Sequence, residues 1–426
     1  MNLKIIDAKG KIVFPGGIDP HVHMHLPTPA GFSSDDFYSG SKAALAGGTT
    51  TLIDFVTPKR GQSIIEALTQ RKKEAENCLT DYKFHVSPVE WTRNTEKEIL
   101  QCIENEGVNS FKVYMAYKDA IGLEDDEIIN VMKTVGKAGR MVTVHAELGD
   151  EIETLRSKFI NEGKFTPEFH PKSRPAKLEA LAVKKAIEMA EKANCPLYIV
   201  HVSAKESVDY IRKAQLKGQK VFAETCMHYL LLNDSKYNGP FEQTAPYVLS
   251  PPLRKTEDQE ALWQALADGT IQTIGTDHCP FTLSQKKTGL NDFRKIPNGA
   301  GSVEHRLSLL YTYGLLQNKI NFERFIDLTS TNAANIFKLS GKKGKIEVGF
   351  DADLLIWNPE IERMISAETH QMNCDNDIFA GFEVKGAPEY VIRRGKIVYS
   401  GTSEFQNEPQ PGKFVRSVYA KVHKNH

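Results

Sequence analysis

The sequence predicts an α/β chain: eight parallel strands closed into a TIM-type (β/α)8 barrel, with a small β domain built from the chain ends. Two observations carry this. Runs that read as buried strands alternate with helix-period segments along most of the 426 residues, the pattern of a parallel sheet covered by helices on its outer side. Five of those runs also hold, at or near their carboxyl ends, a side chain able to bind a divalent metal, and chemistry in such barrels sits at that end of the strands.

Taken in order, the strand runs are GGIDPHVH, TTTLIDFV, YKFHVSP, SFKVYM, MVTVHAE, PLYIVHVS, KVFAETC and TIQTIGTDHC. Between them lie SIIEALTQRKKEAENCL, LEDDEIINVMKTVGKAG, KLEALAVKKAIEMAEKA and SVDYIRKAQLKG, which repeat apolar residues at helical spacing; several close on Gly or Asn, as helices do. The barrel is expected over residues 15–339. Segments 1–14 and 340–403 are expected to form the small β domain, because GKIEVGFDADLLIWNP and PEYVIRRGKIVYSG show strand alternation with Gly punctuation. Residues 404–426, with Pro409, Pro411 and a basic end, read as a loose, extended tail.

His21 and His23 stand two apart in an extended run, so both imidazoles point to one face. His145 and His201 each follow four apolar or β-branched residues, where an unpaired imidazole is costly to bury. Taken singly, each is an ordinary core histidine. Together they place four imidazoles at strand ends, and imidazole is the commonest side-chain metal ligand. Asp277 lies where a buried strand meets a loop; alone it would be a loop hydrogen-bonder. Lys112 sits inside a strand-like run, where desolvation disfavours the ammonium. Alone it would snorkel to the rim. Among metal ligands its neutral amine can take up carbon dioxide, giving a carbamate whose oxygens bridge two cations, whereas an ammonium there would be repelled. His25 repeats the spacing after His23 but is read as a loop residue.

Composition sets limits. Acidic and basic residues balance at 54 each, so no charge argument points to nucleic acid or an anionic membrane. Six cysteines without CxxC pairs read as reduced thiols of a cytoplasmic protein. No apolar run reaches membrane-spanning length and the start lacks a signal-peptide core.

In this order PGGIDPHVH, FKVYMAYK, VHAELGD, VHVS, SPPLR, GTDHCPF, PNG, EHRL, STNAANIFKL and the segment ending DADLLIWNP resemble the dihydropyrimidinase and hydantoinase family of cyclic amidohydrolases, from Pro15 to about Gly401. The resemblance implies a binuclear zinc centre. His21, His23 and Asp277 would share one metal with the carbamate of Lys112 (N6-carboxylated lysine), and His145 and His201 would hold the other with the same carbamate. It implies hydrolysis of the ring amide of 5,6-dihydropyrimidines or hydantoins to N-carbamoyl amino acids, a place in pyrimidine catabolism, and a homotetramer or homodimer. Tyr117 matches the family's catalytic tyrosine; Ser250 and Asn298 match residues that hold the ring amide and carbonyl groups. Without the resemblance, these three would read as rim packing, a turn cap and a turn pair.

Two metals make hydroxide available from a bridging water near neutral pH. Asp277 would take its proton as general base and hand it on, as general acid, to the leaving ring nitrogen, while Tyr117 would donate to the oxyanion. Leu26 and Phe32 in the first loop, and the loop KDAIGLEDDE, are placed to meet the group outside the ring. Three departures from the family stand out: a short segment before the first metal motif, which leaves the small domain incomplete; Leu148 where relatives carry a polar residue; and an altered DNDIFAG segment. Allantoinase and dihydroorotase share much of the metal frame but match less well around Tyr117 and SPPLR. Non-catalytic scaffold relatives have lost metal ligands, and here every ligand position is filled.

Overall fold

The computed structural model describes residues 5–401, 404–405 and 410–417. All eight expected strands form, at Gly17–Val22, Thr49–Val56, Asp81–Val86, Ser110–Tyr114, Met141–His145, Leu197–Ile199, Val221–Cys226 and Thr273–Gly275, in one parallel sheet whose spatial order follows the chain. They are short and almost wholly buried because helices such as Ile64–Glu74, Asp125–Lys137, Ala176–Lys192 and Lys205–Leu216 cover the outer face. Ring closure is made by polar groups. Val22 bridges to His278, the Thr276 hydroxyl donates to Asp19 Oδ2 at 2.6 Å, and the buried Arg306 donates to the carbonyls of Ile18 (2.9 Å) and Ile274 (2.8 Å), one from each closing strand.

The small domain is an antiparallel sheet of five strands among the described residues, Ile12–Pro15, Leu354–Met364, Glu383–Arg393, Lys396–Ser400 and Glu404–Phe405. Trp357 is fully buried beneath it, with Phe14 and Tyr311 against its ring. Lys343 ties this unit to the barrel floor, donating to Asp81 at the start of the third barrel strand and to Asp353.

Residues 410–417 differ from the loose tail expected over 404–426, of which 406–409 and 418–426 lie outside the described residues. The third and fourth barrel strands pair only at Val86–Phe111, and residues 410–417 occupy the space they leave lower down. Tyr82 donates its N–H to Lys413 O (3.0 Å) and Val415 donates to Tyr82 O (2.8 Å). Phe414 stacks on Phe84, and the buried Lys83 donates to Ser417 Oγ at 2.7 Å. No helix among the described residues is long and apolar enough to cross a membrane.

Candidate metal centre and substrate shelf

Alternation along the barrel strands sends His21, Phe55, Lys112, His145 and Glu224 into the lumen. His21, His23 and Asp277 converge there. His21 Nε2 and His23 Nε2 are 3.2 Å apart, and Asp277 Oδ1 lies 3.1 and 3.2 Å from them; their ligand atoms form a group able to hold a metal ion. His145 Nδ1 and His201 Nε2 face each other at 3.0 Å. The two pairs adjoin, with the rings of His21 and His201 centred 5.4 Å apart. Lys112 Nζ lies between the halves. It is 4.9 Å from the centre of Phe55, which packs against His21 and His23, and 5.1 Å from that of Tyr114, which packs against His145.

The donor set fits divalent cations. Two nitrogens on one tetrahedral zinc, each about 2.0–2.1 Å from the ion, lie about 3.3 Å apart, close to the separations above. Each cluster also has a carboxylate behind it. His21 Nδ1 donates to Glu224, leaving Nε2 turned toward His23 and Asp277; His145 Nε2 donates to Glu147 at 2.9 Å, leaving Nδ1 free for an ion. Gly275 makes room for the first of these pairs, since a Cβ there would meet Glu224 Oε2 at 2.9 Å and His21 Cβ at 3.0 Å.

Electrostatics agree. Burial opposes charge on His21, but Glu224 and Asp277 hold it up at about 9, so the negative charge around it favours a cation. Burial would raise Asp277, yet His21 and His23 hold its carboxyl well below the usual range. Lys112 is pushed down to about 7 by burial, against the pull of Asp277 and Glu224, so its neutral amine is within reach near neutrality. His201, Asp277 and Tyr117 all have positive φ (39°, 50° and 61°), strained backbone of the kind that collects at functional sites.

Tyr117 lies 5.4 Å ring to ring from His145, and Arg174 is stacked 5.4 Å from its centre. Ser250 and Asn298 lie on two segments joined by Gly299 N donating to Val248 O at 3.0 Å. The second segment is tied to the Asp277 loop by Cys279 N donating to Ala300 O at 3.0 Å. Ser250 Oγ is buried without a hydrogen-bond partner among the described residues. His25 stays outside the cluster, stacked on Phe32 at 3.9 Å. Leu148 occupies the N-cap of helix Gly149–Asn161 with no side-chain cap.

Glu147, Arg174 and Glu224 carry no assigned role in the sequence patterns above. Glu147 follows His145 by two, and Glu224 is on the inward parity of its strand, so period two would have found both. Arg174 lies 27 positions beyond Glu147, to which it donates at 2.6 Å, and no local pattern marks it.

The amidohydrolase family profile matches residues 12–398. The chain belongs to that family. It is 42% identical to the D-hydantoinase of Geobacillus stearothermophilus over 415 residues, covering 97% of this chain and 88% of that one. Identity to the dihydropyrimidinase of Rattus norvegicus is also 42%, over 97% of this chain and 80% of that one. The crystal structure of dihydropyrimidinase from Brevibacillus agri superposes with a TM-score of 0.96 at 38% identity, covering 99% of this chain and 92% of the other. The enzymes of this family are metal-dependent.

Proposed function

We propose that this protein hydrolyses the ring amide of 5,6-dihydropyrimidines or hydantoins, giving N-carbamoyl amino acids. The observation that carries the reading is the convergence of four imidazoles and Asp277 on two adjoining points, with the Lys112 amine between them. In this proposal His21, His23 and Asp277 would hold one zinc and His145 and His201 the other, and Lys112 would serve both as a carbamate, formed from its neutral amine and carbon dioxide with loss of a proton. When bound, the metals supply Lewis acidity and ionise water near neutral pH.

The chain's own groups do the rest. Asp277, held as a carboxylate, accepts a proton during attack and returns it to the leaving ring nitrogen. Tyr117 reaches over His145 and donates to the carbonyl oxygen as it gains charge. Ser250 Oγ, unpaired among the described residues, is free to bond the ring amide beside Asn298. Glu224 and Glu147 fix the tautomers of His21 and His145. A cytoplasmic homotetramer or homodimer is the assembly this reading carries with it. Incubating purified protein with dihydrouracil, hydantoin, allantoin and dihydroorotate, alongside a metal count, tests it. Two zinc ions per chain and turnover of the first two substrates are expected; turnover of only the last two, or a metal-free inactive protein, overturns it.

A further inference from the structure

The short helix Leu283–Lys286 ends in a lysine that is almost completely buried. Lys286 Nζ donates to Val248 O (3.0 Å), Pro297 O (2.7 Å) and Gly299 O (2.8 Å). An ammonium has three N–H donors and no lone pair, so main-chain carbonyls use it completely, and nothing of it is left for a substrate. The carbonyls belong to two segments far apart in sequence. One runs into Ser250 and the other flanks Asn298 on both sides.

The same turn reaches a third loop. Gln285 Nε2 donates to Phe32 O (2.6 Å) and Ala30 O (3.3 Å) in the segment after the first barrel strand. The Asn298–Gly299 turn is pressed against the Asp277 loop from the other side: Gly299 has φ +142°, and a Cβ there would meet Cys279 O at 2.4 Å. Burial pushes Lys286 down to about 7, and the three carbonyl acceptors at 2.7–3.0 Å oppose that by favouring the ammonium. Here it gives the Pro297 and Gly299 carbonyls a donor and the Val248 carbonyl, which already accepts from Gly299 N, a second one, so the segments carrying Ser250 and Asn298 are held together.

We propose that Lys286 is a positioning residue that sets the spacing of Ser250 and Asn298, and through it the preference between five- and six-membered cyclic amides. This rests on the function proposed above. The test compares Lys286→Met and Lys286→Arg with the parent enzyme for kcat and KM on hydantoin and dihydrouracil, with zinc content, melting temperature and amide hydrogen exchange. In Lys286→Met, zinc content is expected to hold and KM to rise about tenfold or more with a smaller change in kcat. The ratio of kcat/KM for the two rings should shift at least threefold, and exchange should quicken in segments 248–250 and 297–299 together. Lys286→Arg keeps the charge but replaces the compact three-donor head by a larger planar fork, and should keep zinc while still shifting the ratio.

An unchanged ratio in both variants, or kcat and kcat/KM falling equally for both rings, overturns the assignment, as does unchanged exchange in the two segments. A parent enzyme inactive on both rings defeats the proposed function instead, and the exchange measurement then still decides whether Lys286 clamps the two segments.

Discussion

Replacing Arg174 by Met leaves the Glu147 carboxylate, 1% exposed, without its guanidinium. Burial alone would raise this group, but Arg174, with His145, holds it at about 2 instead of the ordinary 4.5. That net difference, to which His145 and Arg254 also contribute against burial, corresponds to about 3 kcal/mol in favour of the charged form, the order of magnitude seen when one partner of a buried ion pair is removed. For 426 residues, an unfolding entropy of about 0.9 kcal/mol/K turns this into a melting temperature lower by about 3 °C. The sign with pH is fixed too. Because the folded-state value is depressed, the stabilisation is fully present above pH 4.5 and is lost as pH falls toward 2, so the gap between parent and variant should shrink through that window. Differential scanning calorimetry at pH 7 and at pH 4, with zinc content checked in each sample, reads both effects, and Arg174→Met/Glu147→Gln should recover much of the loss. An Arg174→Met protein melting within 1 °C of the parent at pH 7 would refute the reasoning.

Tyr117→Phe is expected to keep its zinc and lose on the order of 3 kcal/mol of transition-state stabilisation, a hundredfold or more in kcat; unchanged turnover removes that role. His145→Ala should lose metal and activity together, read by metal analysis beside the same assay. Protein stripped of metal should regain activity with zinc only when bicarbonate is supplied, and faster at pH 8 than at pH 6 for a fixed level of dissolved carbon dioxide, because the Lys112 amine is neutral above about 7; recovery independent of bicarbonate would exclude the carbamate. Leu148→Asn should cap helix Gly149–Asn161 and add about 1 kcal/mol of stability, measured by denaturant unfolding.

The barrel was legible because its strands are short apolar runs with inward and outward residues at fixed parity. A ligand at the end of such a run has its direction decided by the strand itself, as for His145 after MVTV. The network behind the ligands was less so. Glu224 and Glu147 obey the same parity and were readable in principle, whereas Arg174 and Lys286 come from loops and a four-residue helix, where tertiary contacts decide orientation. The docking of residues 410–417 was hidden for another reason. Its composition is that of a loose tail, and the group it pairs with, Tyr82, is more than 300 positions earlier.

That docking constrains how the protein can be made. Until residue 415 has left the ribosome, the lower half of the third barrel strand has an open main-chain edge, and exposed edges recruit other chains. A segment synthesised more than 300 residues later thus finishes the wall of that strand. Expression strains short of chaperones, or variants trimmed before residue 410, should give inclusion bodies rather than a weaker enzyme.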